Sequence, residues 1–495
     1  MDYEVVIGLE VHSQLLTRSK MFCGCAASYQ DADPNTMVCE VCMGMPGVLP
    51  TINRRAVEIV IATGLALDCT VSELTKFDRK NYPYPDLMKG YQISQFDRPI
   101  AKDGRLTVDV DGQERTIRIN RVHLEEDVAK LSHHNGYGGE RYSLLDINRA
   151  GVPLMETVSE PDMRSPEEAR AYLLSLHSIL RYIGASTANM EEGSFRCDAN
   201  ISVRPSGATE LGPKVEVKNM NSFRSVFGAL TYEADRQTRL ARKGERIVQE
   251  TRGWVEEKGI TVSQRVKEGS SDYRYFPEPD LPPFVIEREW VDRVRSDLPE
   301  LPRARKARLM EQYGLSAYDA GLLTAEKATA DYFDSVIAVR PAKGDSLAKL
   351  AKSTSNWMLG ELTRLMKETD TDIGDVRIRP VQLVELIDMV DEGKLSSNLA
   401  KDVFVQMYET GRGPAEIAEE SGLVQVSDVD QVASVVQAAI DGNPQAVADY
   451  MDGKNKAIGF LVGQVMKETR GKANPRMASS LVKEKLDEMR QAVPS

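Results

Sequence analysis

Two short segments of alternating apolar and polar residues, 5–12 and 195–203, place the strongest constraint on how this chain can fold. Alternation with a period of two is typical of a β-strand that buries one face and keeps the other accessible. It places Glu10 with His12 on one face of the first segment and Asp198 on the accessible face of the second. Carboxylates and an imidazole that face one cleft indicate a site for a metal ion and a phosphate.

Two further segments can supply carboxylates to the same cleft. Residues 122–127 contain Glu125 and Glu126, and residues 153–156 end with Glu156. Four separate segments can therefore converge on a site for a hard cation, which prefers oxygen ligands. Any one of these carboxylates alone is better explained by a surface salt bridge, so the prediction rests on their convergence.

Alternation also separates Glu125 from Glu126. Glu126 shares a strand face with Val122 and Leu124, where an ionised carboxylate is costly unless a cation lies beside it. Glu125 turns to the opposite face with His123, where solvent or a surface partner can satisfy it. We therefore predict Glu126 as the metal ligand, and we expect Glu126→Gln to be more damaging than Glu125→Gln.

The length of 495 residues indicates two or three domains. Residues 1–292 are rich in strands broken by Gly, Pro and Asn, whereas helical periodicity dominates residues 293–410 and 411–495. We predict an α+β protein in which an antiparallel-sheet domain precedes an all-helical domain and a helical tail. The predicted helices include residues 54–67, 166–183, 225–243, 303–313, 347–369, 381–392 and 476–491.

Composition narrows the class of protein. The chain is 41% hydrophobic and 28% charged, and it shows neither a signal peptide nor an apolar run of membrane-spanning length, so we expect a cytoplasmic protein. A net charge of −12 argues against general coating of nucleic acid. Residues 453–476 nevertheless carry six basic side chains and one acidic side chain. This excess predicts a contact for nucleic-acid phosphates, with a solvated helix face as the alternative.

Four of the six cysteines form a C-x-C…C-x-x-C pattern: Cys23, Cys25, Cys39 and Cys42. This spacing is typical of a zinc site, and the turn-rich residues between the two pairs supply little core of their own. We predict a structural zinc, because four thiolates leave no open coordination position for catalysis, and a cluster of reduced thiols is the alternative. Cys69 and Cys197 are predicted to be buried apolar thiols.

The sequence contains no phosphate-binding loop of the form G-x-x-x-x-G-K-[ST]. A nucleotide must therefore be held another way, and the polar face of an antiparallel sheet can do so with metal ligands and basic side chains. Alternation gives such a face to residues 196–200 and 214–218, which carry Arg196 and Lys218. The lysine-rich residues 76–86 are either a solvated loop or the lining of an internal path.

Longer runs of sequence resemble the GatB family, the B subunits of tRNA-dependent amidotransferases. The runs are residues 8–12, 79–82, 90–95, 159–165, 190–194 and 272–280. The resemblance covers nearly the whole chain, and it implies a cradle-shaped catalytic domain for residues 1–292 and a YqeY-like tail for residues 411–495. Met88 and Val128-Ala129 depart from the family pattern without touching the candidate ligands.

This resemblance implies an ATP-dependent ligase that is one subunit of a heterotrimer, GatCAB, with a GatA-type glutaminase and a GatC-type small subunit. The implied substrates are Glu-tRNA(Gln), Asp-tRNA(Asn) or both, and the sequence leaves this choice open. The GatB-type protein would phosphorylate the side-chain carboxylate with ATP, and ammonia channelled from the glutaminase would then amidate it. The chain itself shows no Ser-Ser-Lys glutaminase constellation.

The resemblance also implies roles for individual residues, with Glu126 as a catalytic residue between the metals and the ammonia path. The magnesium ligands would be His12, Glu126 and Glu156; the ligands of a second cation, Glu10, Asp198 and Glu126; and the catalytic lining of the ammonia path, Lys80 and Lys89. Two other functions remain as alternatives. One is a free-standing amide ligase that uses bulk ammonia, and the other is a zinc-bearing, tRNA-binding scaffold.

Overall fold

The computed structural model describes residues 2–136, 140–266, 273–340, 344–422, 429–452, 454, 456–469, 473 and 475–491. The chain divides into two compact units, Met1–Pro302 and Arg303–Ser495, and each has hydrophobic core clusters of its own. The first unit contains the strands and the second is built from helices, which confirms the predicted α+β class.

Alternating apolar and polar residues form the long strands of the first unit, such as Tyr3–Gln14 and Phe195–Pro205, which turn one face to the core. The strands are β1 (Tyr3–Gln14), β2 (Thr70–Val71), β3 (Leu74–Thr75), β4 (Asp78–Asn81), β5 (Tyr91–Ser94), β6 (Ala101–Val110), β7 (Gln113–Glu126), β8 (Lys130–Asn135), β9 (Arg141–Asp146), β10 (Pro153–Ser159), β11 (Phe195–Pro205), β12 (Val215–Lys218), β13 (Glu250–Val255), β14 (Ile260–Val266), β15 (Phe276–Pro277) and β16 (Phe284–Val285).

Nine of these strands form one large sheet in the order β14-β13-β12-β11-β1-β10-β7-β6-β2. Neighbouring strands run antiparallel, as predicted, except that β12 and β13 are parallel. Smaller sheets are β15-β4-β5, β16-β3 and β8-β9. Strand β1 is central in the large sheet, so its polar side chains lie between those of β10 and β11.

The helices of the first unit are α1 (Arg54–Ala66), α2 (Pro166–Tyr182), α3 (Phe223–Arg242) and α4 (Arg288–Ser296). Helices α1 to α3 confirm the three helices predicted in this part of the chain. Each begins at a capping side chain, because Asn53, Ser165 and Ser222 accept a hydrogen bond from a backbone N–H of the first turn.

The core of the first unit lies between these helices and one face of the large sheet. Ile7, Leu9 and Val11 of β1 are fully buried in it. Cys69 and Cys197 belong to the same core, which confirms that both are buried thiols. Because residues alternate along a strand, the neighbouring polar residues of β1 point to the opposite face of the sheet.

The first unit continues past the predicted boundary at residue 292. Helix α4 spans that position, and its residues Trp290, Val291 and Val294 pack against the core of the first unit. By packing, the first compact unit extends to Pro302. The strand-rich part of the sequence ends near residue 292. Helix α4 comes at that point, and its packing makes it part of the first core.

The helices of the second unit are α5 (Pro302–Tyr313), α6 (Ala317–Leu323), α7 (Lys327–Val339), α8 (Asp345–Trp357), α9 (Thr363–Thr369), α10 (Pro380–Asp391), α11 (Ser397–Thr410), α12 (Pro414–Glu420), α13 (Val429–Asp441), α14 (Pro444–Met451), α15 (Lys456–Glu468) and α16 (Pro475–Gln491). A π-helical segment, Met358–Leu362, joins α8 to α9, so the helix predicted at residues 347–369 is continuous. None of the helices in the described ranges is both long and apolar enough to cross a membrane.

Apolar side chains of the second unit form two clusters. The members of one come from the sequence range 309–418, and those of the other come from the range 432–486. Ile417 of α12 belongs to the first cluster, so that core extends a few residues past the predicted boundary at 410. The second cluster is formed by helices of the predicted tail.

Candidate active site and cysteine cluster

The register of adjacent strands brings polar side chains together on the face of the large sheet opposite the helices. His12 of β1 lies directly opposite Glu156 of β10, and Glu156 lies opposite His123 of β7. Residues that are opposite one another on neighbouring strands point to the same side of a sheet. Glu125 is two residues beyond His123, so alternation returns it to the same face.

His12, Glu125 and Glu156 form a compact set of metal-binding groups, which we call the acidic cluster. Nε2 of His12 lies 3.6 Å from Oε1 of Glu125 and 3.6 Å from Oε2 of Glu156. One ligand atom from each residue lies within 4.8 Å of the other two. Only 1% of Glu125 and 5% of Glu156 is exposed, so two carboxylates share a site that largely excludes water. Such a pair is costly unless a cation or a proton lies between them.

Two histidines offset the charge of Glu156. Nε2 of His123 lies 3.2 Å from Oε2 of Glu156, the oxygen that His12 also approaches. Burial opposes ionisation of Glu156, but His123 and His12 hold its pKa well below the ordinary value. Burial also lowers the pKa of His12, yet Glu156 and Glu125 outweigh this effect and raise it. Among the described residues, the buried Nδ1 of His123 has no hydrogen-bond partner.

The structure does not bring Glu126 into the acidic cluster. Alternation turns Glu126, as expected, to the apolar face of β7 that carries Leu124, and the cluster occupies the opposite face. The cation beside Glu126 is the ammonium of Lys89, whose Nζ lies 2.5 Å and 2.7 Å from the two carboxylate oxygens. The backbone N–H of Ile93 also donates to Oε1 of Glu126 over 2.9 Å. The side chain predicted as a metal ligand is thus neutralised within the protein.

Glu125, and not Glu126, belongs to the acidic cluster. The expectation that solvent or a surface partner satisfies Glu125 is wrong, because the side chain is buried in the acidic cluster and accepts a hydrogen bond from Oγ of Ser94 over 3.2 Å. A sequence signal for this position exists. His123 and Glu125 alternate with apolar residues in the same way as Glu10 and His12, and this shared pattern indicates that all four side chains lie on the accessible face of the sheet.

Glu10 and Asp198 lie opposite each other on β1 and β11, on the face of the acidic cluster. Nδ2 of Asn200 donates to Oε1 of Glu10 over 2.8 Å, and the ammonium of Lys218 pairs with Asp198. Burial lowers the pKa of Lys218, but the neighbouring carboxylates raise it above the ordinary value. Within the described ranges, no third acidic, histidine or cysteine ligand joins this pair in a compact group. The second-cation set predicted with Glu126 is therefore not assembled.

The two predicted lysines lie on different sides of β7. Nζ of Lys80 is 5.1 Å from the ring centroid of Tyr273, and Glu125 acts on it electrostatically. Burial lowers the pKa of Lys80, yet Glu125 leads the groups that raise it above its ordinary value. Lys89 instead pairs with Glu126. Lys80 thus belongs to the side of the strand that faces the acidic cluster and Lys89 to the other side.

The four predicted zinc ligands converge in the loop between β1 and α1. The Sγ atoms that lie within 4.8 Å of one another are those of Cys23, Cys25, Cys39 and Cys42. Burial raises the pKa of Cys25 to about 11, whereas a hydrogen bond from Cys23 lowers that of Cys42 to about 4. The fully buried Lys20 donates from Nζ to the carbonyl of Met37 over 2.8 Å and to Sγ of Cys42 over 3.6 Å. Convergent thiols beside a buried ammonium fit a closed tetrathiolate zinc site.

The basic segment of the tail is described in part. Lys456 and Lys467 lie at the two ends of α15 and are exposed, and Lys454 donates to Oδ1 of Asp449 over 2.9 Å. The positions of this segment outside the described residues are 453, 455, 470–472 and 474. Arg470 and Lys472 therefore fall outside the described residues, and the side chain of Arg476 is not described either.

Comparisons with known proteins cover most of the chain. Residues 5–292 match the family described as the GatB/GatE catalytic domain, and residues 331–486 match the family described as the GatB domain. The chain is also similar to curated proteins named as the B subunits of aspartyl/glutamyl-tRNA(Asn/Gln) amidotransferases. The protein of Dehalococcoides mccartyi (strain CBDB1) is 56% identical over 488 residues, which cover 98% of this chain and 99% of the relative.

Two further relatives of the same name show similar coverage. The protein of Thermomicrobium roseum is 55% identical over 488 residues, covering 99% of each chain. The protein of Moorella thermoacetica is 52% identical over 486 residues, covering 98% of this chain and 100% of the relative.

The cysteine cluster predicts one bound zinc ion per chain. Metal analysis of protein purified without chelators should find about one equivalent of zinc, the occupancy of a closed four-thiolate site. Cys39→Ser should lower both the zinc content and the melting temperature, because zinc binding contributes directly to the folding of such loops. Cys69→Ala, which removes a buried thiol outside the cluster, should keep the zinc. A folded protein without zinc, in which all four thiols titrate freely, contradicts this prediction.

Proposed function

The chain belongs to the GatB family, and we propose that it activates the side-chain carboxylate of a misacylated tRNA by phosphorylating it with ATP. In this role it is one component of a ligase that forms a C–N bond with glutamine as the amide donor. The acidic cluster of His12, Glu125 and Glu156 carries the proposal, because buried carboxylates converging with an imidazole fit a magnesium ion far better than a surface salt bridge.

Three residues would hold magnesium for ATP: His12, Glu125 and Glu156. The chemistry that bound magnesium supplies is neutralisation of the charge on the transferred phosphoryl group. The protein's own contribution is a fixed arrangement of charges. His123 holds Glu156 ionised from the side opposite His12, and Ser94 orients Glu125. Charges that need no reorganisation during the reaction lower its barrier most effectively.

The proposed reaction has two steps. An oxygen of the substrate carboxylate attacks the γ-phosphorus of ATP, the bond to the leaving ADP breaks, and an acyl phosphate forms. Ammonia then attacks the acyl carbon, inorganic phosphate leaves, and loss of a proton gives the amide. Neither step requires a nucleophile from the protein, so the site has to provide only charge and position.

We assign the delivery of ammonia to the surroundings of Lys80, Lys89 and Glu126. Lys89 and Glu126 form a buried ion pair on one side of β7, and Lys80 lies on the other side near Glu125. An amine must lose its proton before it can attack an acyl phosphate. The raised pKa of Lys80 keeps this amine protonated, so that it does not compete with ammonia for the activated substrate.

The partners follow from the same assignment. A GatA-type subunit would release ammonia from glutamine, a GatC-type subunit would complete the heterotrimer, and the tRNA substrates would be Glu-tRNA(Gln), Asp-tRNA(Asn) or both. The names of the relatives include both aspartyl-tRNA(Asn) and glutamyl-tRNA(Gln). The zinc at the cysteine cluster would have a structural role, because four thiolates leave no open coordination position.

In the reconstituted complex, Glu125→Gln should lower both tRNA-dependent ATP hydrolysis and amidation by about 100-fold or more. The variant removes a negative charge from the acidic cluster, and loss of even an outer partner of a metal site costs about 10–100-fold. Glu126→Gln should separate the two activities. It disrupts the ion pair with Lys89 on the opposite face, so tRNA-dependent ATP hydrolysis should persist while glutamine-dependent amidation falls. Parallel assays of phosphate release and amide formation measure both effects.

Glu4→Gln is the matched control for these variants. Glu4 also lies on β1, but it pairs with Arg204 at the start of the strand, away from the acidic cluster. Both rates should stay near those of the unmodified complex. Full turnover by Glu125→Gln contradicts the proposed magnesium site. ATP hydrolysis that ignores the misacylated tRNA favours the scaffold alternative, and amidation that needs no glutaminase partner favours the free-standing ligase.

The basic segment of the tail predicts a salt-dependent contribution to tRNA binding. Replacing Lys456 and Lys467 by glutamate should weaken tRNA binding and make it less sensitive to salt, because each lost phosphate contact reduces the slope of log affinity against log salt by about 1. Lys483→Glu, at an exposed position of α16 outside this segment, is the control. Filter binding at several salt concentrations measures the slope, and an unchanged affinity with an unchanged slope would show a merely solvated helix face.

A further inference from the structure

A stacked pair of aromatic rings, Phe96 and Tyr275, lies at the surface of the first unit. The ring centroids are 4.3 Å apart and the ring planes are within 10° of parallel. Phe96 keeps 57% of its surface exposed in spite of this stacking. Tyr273, also exposed, packs edge-on against Tyr275. A group of exposed rings with charged neighbours is typical of an interaction site.

This aromatic patch, which consists of Phe96, Tyr273 and Tyr275, borders the acidic cluster. Phe96 follows β5 by two residues, and Ser94 at the end of β5 donates a hydrogen bond to Glu125. Burial raises the pKa of Tyr275, Lys80 lowers it and Glu125 raises it, so the hydroxyl lies within electrostatic reach of both groups. The aromatic patch is therefore adjacent to the acidic cluster.

The backbone that carries Phe96 is held in place by ion pairs and hydrogen bonds. The N–H of Phe96 donates to Oδ2 of Asp78 over 3.1 Å. Nζ of Lys76 lies 2.5 Å from Asp78 and 2.7 Å from Asp97, which closes the turn from both sides. Tyr275 immediately precedes β15, which pairs with β4. Rings fixed in this way lose little conformational freedom when a flat ligand stacks on them.

The proposed reaction determines which flat group comes close to this patch. The aminoacyl group is an ester on the ribose of the last nucleotide of the tRNA, so the base of that nucleotide must lie near the acidic cluster when the carboxylate reacts. Unpaired bases at RNA ends are recognised by stacking on aromatic side chains, which contributes about 1–3 kcal/mol per base.

The base of ATP has a different candidate position. A cavity of about 200 Å³ lies beside β1 at Glu10, with Asn200 of β11 and Val158 of β10 also in its lining. The aromatic patch lies elsewhere, next to β5, which contacts β7. We therefore assign the two flat groups of the reaction to separate places.

We propose that Phe96, backed by Tyr275, is the stacking platform for the 3′-terminal base of the misacylated tRNA. This inference rests on the proposed function and deepens it, because the platform sets the distance between the terminal ribose and the acidic cluster. Lys80 and Arg121, which both act electrostatically on Tyr275, supply positive charge for the last phosphodiester. The platform contributes position and affinity, not chemistry.

The test uses the reconstituted complex and a misacylated tRNA whose terminal base is 2-aminopurine, a base that loses fluorescence when it stacks. Binding to the unmodified complex should quench the fluorescence. Phe96→Ala should abolish the quenching and raise the KM for misacylated tRNA about tenfold, which corresponds to roughly 1.4 kcal/mol and to one lost stacking contact. Phe96→Tyr keeps a flat ring and should preserve both properties. The KM for ATP should stay constant in each variant.

Tyr142→Ala is the matched control, because Tyr142 is half-exposed on β9 and stacks on His134 with centroids 5.5 Å apart. It should change neither the quenching nor the two KM values. If Phe96→Ala raises the KM for ATP and keeps the quenching, the ring serves the base of ATP and the inference is overturned. If it lowers kcat alone, the ring only supports Glu125, which also overturns it. Quenching requires no turnover, so it reports on the platform separately from the amidation assay.

Discussion

The burial of Glu125 and Glu156 beside His12 is the constraint on which the rest of the site depends. Two unit charges about 4 Å apart interact by about 4 kcal/mol at an effective dielectric constant of 20, and screening by water is weak where so little of either carboxylate is exposed. The sheet offsets the repulsion between the two carboxylates, because it holds histidines beside them. Three strands, β1, β10 and β7, hold the carboxylates and two histidines in fixed register, with a hydrophobic core on the opposite face. This arrangement supports the proposed role of the acidic cluster in holding a cation.

The consecutive carboxylates at the end of β7, Glu125 and Glu126, lie in different environments because of the geometry of a strand. A strand sends neighbouring side chains to opposite faces, so Glu125 enters the acidic cluster while Glu126 meets Lys89. Removing one partner of a buried ion pair leaves an uncompensated charge and costs about 3–5 kcal/mol. The Lys89–Glu126 pair therefore stabilises the end of β7 on the face opposite the acidic cluster.

Sequence patterns predict the parts of this protein that depend on local interactions. The capping residues Asn53, Ser165 and Ser222 and the periodicity behind them define α1 to α3, and cysteine spacing predicts thiols that do converge. The rule that a carboxylate on an apolar face needs a cation is correct for Glu126, but its cation comes from Lys89, 37 residues earlier in the chain. No local pattern reveals that pairing. Helix α4 joins the first core in a similarly non-local way, because Trp290, Val291 and Val294 pack against residues distant in the sequence.

The short strand β5 connects the three parts of the site. Lys89, just before β5, pairs with Glu126; Ile93 donates its backbone N–H to the same carboxylate; and Ser94 donates to Glu125. Phe96 follows two residues later. Strand β5 is paired with β4 along its whole length, and this pairing holds the backbone that carries these contacts. One short strand with its flanking residues thus supplies a contact to the ion pair, to the acidic cluster and to the aromatic patch, and each contact is made through a different residue.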